Sequence, residues 1–178
     1  MKKIFVNANQ LLDYSFLLAK KIYQSGFIPN ILVGIWRGGT PAGIAVHEYF
    51  NYKGHKLFHT AIKTESYEDM KQSDGEIKVN GLQELIEPIN SEDKMLLIDD
   101  VFDTGRTMKF LVEEIKRRAR KNAPVIKIGT VFYKETKNQT DIFPDYYVEK
   151  NENWIVFPHE LAGLTEEEIK LKNLNIEL

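Results

Sequence analysis

The apolar residues of this chain follow two different spacings. Between residues 9 and 26, leucine, phenylalanine and isoleucine recur at roughly helical intervals, which predicts a helix capped by Asn9 and stopped by Gly26. Residues 31–36 instead form a continuous apolar run that is too short for a core helix and rich in branched side chains. Strands buried on both faces have this composition, so the run indicates a parallel sheet.

Strand-like and helix-like segments alternate along the rest of the chain. The other predicted elements are a helix at 40–54 with Thr40 as cap and Pro41 in its first turn, strands at 57–62, 95–98 and 125–133, a helix at 105–121, short apolar runs at 146–148 and 154–157, and a last helix from the capping box of Thr165 and Glu168. This alternation predicts an α/β fold, in which helices cover both faces of a mostly parallel, doubly wound sheet. We find no internal repeat or linker and expect residues 1–178 to form a single domain.

Residues 63–75 interrupt this regularity. They are polar and show no apolar period. Long loops without structure of their own are uncommon in compact domains and usually serve as lids or binding loops. We therefore expect a functional loop here.

Composition excludes several kinds of chemistry. The 178 residues include no cysteine, which rules out disulfides, thiolate nucleophiles and zinc–thiolate sites and favours a cytoplasmic protein. The net charge of −2 argues against broad binding to nucleic acid or to anionic membranes. The basic start of the chain is followed by only three apolar residues, and no stretch approaches the roughly 18 apolar residues of a spanning helix. We expect neither a secretion signal nor a membrane span.

The residues with the clearest chemical meaning follow the apolar run at 95–98. Asp99, Asp100 and Asp103 come at the end of this predicted buried strand, and Thr-Gly-Arg-Thr then leads into a helix. Ligands of open α/β sheets bind at the carboxyl ends of strands. The adjacent acids can hold a ribose diol and a hard cation, whereas the hydroxyls and backbone N–H groups of the loop suit a phosphate.

Other interpretations of this stretch remain open. The acids could simply cap the helix while the glycine turns the chain. The strand could also be the metal-binding strand of a phosphate-loop NTPase, but no Gly-x-x-x-x-Gly-Lys-Ser/Thr precedes it. A receiver-domain acid pocket has no phosphate loop of this kind.

Residues 95–107 resemble the phosphoribosyl-diphosphate-binding signature of type I phosphoribosyltransferases, an apolar strand followed by two acids and then Asp-Thr-Gly-x-Thr. Residues 33–39, Val-Gly-Ile-Trp-Arg-Gly-Gly, resemble the family's pyrophosphate loop. Lys134 with Trp154 and Ile155 resembles the base pocket of the hypoxanthine, guanine and xanthine enzymes. The resemblance covers roughly residues 31 to 160 and implies a five-stranded parallel core with a small hood, formed mainly by the C-terminal part together with the N-terminal segment.

The resemblance also implies roles for individual residues. Asp103 is the catalytic general base, Ser66 and Tyr67 belong to a mobile loop, and Mg²⁺ is held by Asp100 with help from Glu160. The remaining implied sites are Arg37 and Gly38 for pyrophosphate, with a non-proline cis peptide at Arg37; Asp99, Asp100, Asp103, Thr104, Gly105, Arg106 and Thr107 for the phosphoribosyl group and its 5′-phosphate; and Lys134, Trp154 and Ile155 for the purine.

Each of these side chains also has a structural interpretation. Arg37 could be an ordinary surface arginine, Lys134 a solvated strand end and Trp154 a core residue. The basic residues at 116–121 are interpreted as complementing the dipole at a helix C-terminus rather than as a nucleic-acid patch. His55 and His59 are assigned no role.

Two functions are consistent with the sequence. The first is a purine salvage enzyme that converts phosphoribosyl diphosphate and a 6-oxopurine into a nucleoside monophosphate, with Mg²⁺ as cofactor and a homodimeric or homotetrameric assembly as the resemblance implies. The second is a regulator that uses the same pocket to sense phosphoribosyl diphosphate or a nucleotide. A sensor does not need a general base and purine contacts together, so Asp103, Lys134 and Trp154 favour the enzyme.

Overall fold

The computed structural model of the protein describes residues 2–66, 77–172 and 174. Within these residues the strands are β1 Lys3–Phe5, β2 Ile31–Trp36, β3 Phe58–Ser66, β4 Ile77–Asn80, β5 Lys94–Phe102, β6 Val125–Tyr133, β7 Tyr146–Lys150 and β8 Trp154–Val156. The larger sheet has the order β4-β3-β2-β5-β6-β7. All of its neighbouring strands run parallel except the antiparallel pair β3 and β4.

Helices cover both faces of this sheet, which confirms the predicted fold class. They are α1 Ala8–Gln24, α2 Gly39–Tyr52, α3 Leu82–Ile86, α4 Arg106–Ala119 and α5 Glu166–Lys170. One hydrophobic cluster joins the sheet to α1 and α2, and a second joins it to α3 and α4. In β5, Leu96 and Ile98 belong to the first cluster, and Met95 and Leu97 belong to the second. This burial on both faces explains why the strand is a continuous apolar run.

A smaller sheet brings distant parts of the chain together. Strand β1 pairs in parallel with β8, so Ile4 lies opposite Ile155. The Trp154 N–H donates to the Lys2 carbonyl at 3.2 Å, and the Val6 N–H donates to the Val156 carbonyl at 3.0 Å. The N-terminal segment and the segment after β7 thus form one layer beside the main sheet.

Three helix starts test the sequence predictions. The capping box of α5 is present, since Thr165 and Glu168 exchange side-chain-to-backbone hydrogen bonds. The cap of α1 was predicted at Asn9, two residues too late, because the Asn7 side chain is the one that accepts from the Gln10 N–H. Thr40 does not cap α2, because that helix already begins at Gly39 and the Thr40 hydroxyl donates to the Arg37 carbonyl.

The largest difference from prediction concerns the polar segment. A loop was expected from residue 63, but β3 continues to Ser66 and β4 pairs with it from Lys63 opposite Asn80. The expected five-stranded parallel core is present as β3, β2, β5, β6 and β7, and β4 adds a sixth, antiparallel strand at its edge. The mobile-loop prediction falls on Ser66, whose backbone ends β3, and on Tyr67, which lies outside the described residues. Over the parts of the chain that are described, no helix is both long and apolar enough to cross a membrane.

Candidate active site

The carboxyl end of β5 lies directly against the loop that follows β2. The Asp100 side chain is buried, and a Cβ added to Gly38 would overlap its carboxylate. A Cβ added to Gly39 would overlap the Ile98 carbonyl. Only glycine at these two positions allows the loop to approach the acidic end of the strand, which explains the Gly-Gly pair after Arg37.

Arg37 is exposed on this loop. The bond between Trp36 and Arg37 is a cis peptide, as the resemblance implied. The Thr40 N–H and hydroxyl donate to the Arg37 carbonyl at 3.2 and 2.7 Å and tie the loop to the start of α2. The loop therefore places an exposed arginine next to the two glycines that touch the acidic strand end, and its charge can meet an anion.

The acids at the end of β5 are unfavourable to ionise. Burial raises the pKa of Asp100 to about 6, and the nearby Glu160 carboxylate acts in the same direction. Burial and the charge of Asp100 raise the pKa of Asp99 well above its ordinary value. A cation between these groups would relieve the repulsion between their charges.

The oxygen donors of this cluster fit Mg²⁺ in part. A hard cation prefers oxygen ligands, and Mg²⁺ is usually held by one or two carboxylates together with substrate phosphates. Asp100 is available for this, whereas Glu160 already accepts the Phe157 N–H at 3.0 Å with one of its oxygens. In the described ranges no three acidic or histidine side chains form a complete metal site. The cluster is therefore suited to a cation that the substrate helps to bind.

Asp103 and Lys134 form an ion pair at the ends of β5 and β6. Lys134 Nζ donates to Asp103 Oδ2 at 2.7 Å. The lysine side chain is 6% exposed and that of Asp103 is 40% exposed. The Lys134 N–H also donates to the Phe102 carbonyl, which continues the ladder between the two strands. Lys134 is thus not a solvated strand end, and a group entering beside Asp103 would meet a buried ammonium.

The loop of residues 103–107, which suits a phosphate, leads from the end of β5 into α4. Gly105 has φ +77° and precedes the first helical residue, Arg106. A small cavity of about 90 Å³ opens beside the loop. Its lining includes Asp99, Asp103, Thr104, Gly105 and Thr107. The first N–H groups of a helix have no partner within the helix, so this cavity can accept an anion.

Trp154 and Ile155 occupy different environments in β8. The Trp154 side chain is 55% exposed, whereas Ile155 is buried in the hydrophobic cluster beneath it. The core interpretation of Trp154 is therefore wrong, and its ring is accessible to a flat ligand. Ile155 contributes a buried side chain that fixes the strand.

Several residues at the site were missed by the sequence analysis. His159 Nε2 lies 3.9 Å from Asp100 Oδ2, and its ring stacks on that of Phe157. The side chains of Asn138 and Thr140 lie against Gly105. The position of His159 next to Glu160 was a usable signal, but nothing in the local sequence connects residues 138–140 with the loop.

The comparisons with known proteins agree with this geometry. Residues 7–163 match the family described as phosphoribosyl transferase domain. The hypoxanthine-guanine phosphoribosyltransferase of Streptococcus pyogenes serotype M3 (strain ATCC BAA-595 / MGAS315) is 26% identical over 147 residues, which cover 82% of this chain and 77% of that protein.

Two solved structures share the fold. A purine phosphoribosyltransferase from Pyrococcus horikoshii Ot3 has a TM-score of 0.72 and 26% identity, with 93% of this chain and 99% of that chain covered. The xanthine-guanine-hypoxanthine phosphoribosyltransferase of Helicobacter pylori has a TM-score of 0.71 and 19% identity, with 97% of each chain covered. Because the family match spans most of the sequence and includes the Asp-Asp and Asp-Thr-Gly-Arg-Thr residues at the end of β5, the chain belongs to the phosphoribosyl transferase domain family.

Proposed function

We propose that this protein is a purine salvage enzyme that transfers the 5-phosphoribosyl group of phosphoribosyl diphosphate to a 6-oxopurine. The observation that carries the proposal is the 2.7 Å ion pair between Lys134 and Asp103, beside the anion-accepting cavity of the loop. An ammonium can only donate hydrogen bonds, and a carboxylate can accept a proton. The ammonium can therefore donate to an oxo group, and the carboxylate can take the proton from a ring nitrogen. The names of the relatives support the same assignment.

The purine would lie between Trp154 and Lys134. The accessible indole offers a stacking surface, and stacking of a base on an aromatic ring contributes about 1–3 kcal/mol in single-strand binders. The Lys134 ammonium has three donors, so it can keep Asp103 and also bind a 6-oxo group. Hypoxanthine and guanine fit this arrangement, and xanthine shares the same oxo group.

The ribose and its phosphate would occupy the end of β5. Asp99 and Asp100 would hold the diol, and residues 103–107 would receive the 5′-phosphate. Arg37 and Gly38 would face the pyrophosphate. Ser66 and Tyr67 would belong to the loop that shields the reaction from water.

Two charges develop when the bond to C1 breaks, one positive on the ribose and one negative on the leaving pyrophosphate. A purine ring nitrogen would bond to C1 as pyrophosphate leaves, and Asp103 would take the proton that the purine gives up. Until that transfer, the negative charge of Asp103 would offset the cationic sugar. Asp100, with Glu160, would hold Mg²⁺, which when bound neutralises charge on the leaving group. Arg37 would offset charge on the same group.

Initial rates with hypoxanthine, guanine, xanthine and adenine test this proposal directly. We expect nucleoside monophosphate and pyrophosphate from at least one of the 6-oxopurines, with a requirement for Mg²⁺, and very little product from adenine. Exhaustive chelation should abolish turnover, and full turnover after chelation would remove the metal role of Asp100. Tight binding of phosphoribosyl diphosphate without any product would instead support the regulatory alternative.

We also propose that copies of this chain assemble into a homodimer or homotetramer in the cytoplasm. A groove of about 530 Å³ between α2 and β3 supports this assembly. Trp36 and Ile44 line it and are 54% and 67% exposed. Large apolar side chains grouped on one face favour burial against a second copy.

A further inference from the structure

The segment that follows β6 contacts the loop of residues 103–107 at two points. At its start, Lys134 binds the Asp103 carboxylate at 2.7 Å. Five residues later, the Gln139 N–H donates to the Thr104 carbonyl at 2.9 Å. Residues 134–140 therefore form a brace along the loop, although no residue of the brace belongs to the loop motif.

Asn138 organises the brace through both ends of its amide. Its Oδ1 accepts from the Thr140 N–H at 2.9 Å and from the Thr140 hydroxyl at 2.8 Å. Its Nδ2 donates to the Ile142 carbonyl at 2.9 Å. Only an amide side chain offers this combination of acceptor and donor at this length. Aspartate at this position would face the Ile142 carbonyl with a second acceptor.

The brace packs directly against Gly105, the glycine that precedes α4. A Cβ added to Gly105 would lie 2.5 Å from Thr140 Oγ1 and 2.7 Å from Asn138 Oδ1. Gly105 has φ +77°, a conformation that sets the direction of the first N–H groups of α4. The shape of the loop is thus set partly by two side chains that lie more than thirty residues later in the sequence.

We propose that Asn138 is a positioning residue that holds residues 104–107 in the conformation that receives the 5′-phosphate. This inference rests on the proposed function, because it assigns the loop to a phosphate monoester. Asn138 contacts neither the purine side of Lys134 nor the acids at Asp99 and Asp100 through any of its three hydrogen bonds. Its loss should therefore weaken phosphate binding and leave the choice of base unchanged.

The test compares Asn138→Ala with Gln139→Ala in the full-length chain. Gln139 is a matched control, because it is adjacent, exposed and tied to the loop only through its backbone N–H. Calorimetry with ribose 5-phosphate measures phosphate binding without turnover. We expect about tenfold weaker binding in Asn138→Ala, the usual effect of losing one hydrogen bond that supports a site. In Gln139→Ala we expect binding to stay within about twofold of wild type. The KM for phosphoribosyl diphosphate should rise by a similar factor, with the hypoxanthine-to-adenine ratio of kcat/KM unchanged.

A purely structural role would give a different pattern. It would lower the melting temperature and kcat while ribose 5-phosphate binding stayed within twofold of wild type, and this result would overturn the inference. If Asn138→Ala does not fold, Thr140→Val removes the hydroxyl bond to Asn138 with little change in shape and should show the same pattern more weakly. If the wild type binds ribose 5-phosphate but makes no product, the proposed function fails and the binding comparison still decides the role of Asn138. A wild type that makes product but does not bind ribose 5-phosphate contradicts the inference and leaves the proposed function standing.

Discussion

Lys134 is the side chain whose environment says most about choice of base. Its ammonium is buried and its carboxylate partner, Asp103, is partly open to solvent. A buried charge that loses a partner is costly, so the pocket favours ligands that present an acceptor to the free donors of Lys134. Adenine presents an amino group at the position where a 6-oxopurine presents oxygen.

Lys134→Met should narrow the preference for 6-oxopurines. Methionine fills a similar volume but cannot donate, and it leaves the Asp103 carboxylate without its partner, so the melting temperature must be measured alongside kcat/KM. A site that loses a hydrogen bond and strands a charge can discriminate by about 10⁴-fold or more, so we expect a large wild-type gap between hypoxanthine and adenine. Measurement of kcat/KM for both bases decides this, with Trp154→Ala as the comparison that should weaken both bases similarly. An unchanged ratio of kcat/KM between hypoxanthine and adenine in Lys134→Met would contradict the assignment of Lys134 to the 6-oxo group.

Asp103→Asn should lower kcat by roughly 10²–10⁴-fold, the usual effect of losing a general base. Affinity for phosphoribosyl diphosphate should stay within a small factor, because asparagine keeps the shape of the side chain. The variant also leaves the Lys134 ammonium without its carboxylate, so its melting temperature must be measured alongside kcat. Asp141→Asn is the control, since it breaks only the exposed pair with Lys109. Near-normal kcat in Asp103→Asn would show that Asp103 is not the general base.

Residue types and strand ends were enough to locate the acids and the loop in the sequence. The apolar run before Asp99 predicts a buried strand, and buried strands deliver their following residues to a ligand-binding edge. The pairing of Asp103 with Lys134 could not be predicted in this way, because it depends on β5 and β6 being neighbours with matched ends. The same limit applies to His159 and Asn138, which reach the site only through the folding of distant segments.

Among the elements, α4 explains the basic run that resembled a nucleic-acid patch. Arg117 and Arg118 each donate to the Glu114 carboxylate at 2.8 Å. These hydrogen bonds lower the pKa of Glu114 to about 2. Two of the cations are thus engaged on their own helix, which supports the structural interpretation of this run.

Glu114→Gln should reduce stability in a pH-dependent manner. The pKa of Glu114 is depressed in the folded protein, so its ionised form stabilises the fold above the unfolded value near 4.5, and this contribution is lost as pH falls toward 2. The arginines are exposed, so we expect only about 0.5–1 kcal/mol, or about 1–4 °C in Tm, at pH 7. Thermal unfolding at pH 7, 5 and 3 should show the difference from wild type shrinking with acidity. Glu113→Gln, whose pair with Lys109 spans 3.8 Å, should change Tm less; a constant deficit for Glu114→Gln at all three pH values would contradict the ion-pair explanation.

Element boundaries were harder to predict than element types. The strands at 31–36 and 125–133 match their predicted ranges, because their apolar residues have no competing pattern. Strand β4 was missed although Ile77 and Val79 alternate with Lys78 and Asn80, because two apolar residues in a four-residue strand are a weak signal directly after a polar segment. The start of α1 was misplaced because Asn7 and Asn9 are equally good caps, and only the Gln10 N–H distinguishes them.

At the scale of the whole molecule, the groove between α2 and β3 predicts a surface for self-association. Ile44→Lys would place a charge among its apolar side chains and should shift the protein toward monomer in sedimentation experiments. Leu171→Lys is the control, because Leu171 is also exposed but does not line the groove. An unchanged sedimentation coefficient in Ile44→Lys, with an assembled wild type, would place the interface elsewhere.

The small sheet of β1 and β8 carries Trp154 and is much smaller than the main sheet. It is closed by contacts between residues far apart in sequence, including the Lys3–Glu168 pair with a separation of 165 residues. Its two strands have only three residues each, so few backbone hydrogen bonds hold it together, and such small units open locally more easily than a six-stranded sheet. The base side should therefore open transiently while the phosphate side remains folded. Hydrogen exchange should be faster at the amides of Val6 and Trp154 than at that of Leu96. Under the proposed function, entry of the base would then depend on a local opening equilibrium and not on unfolding of the main sheet.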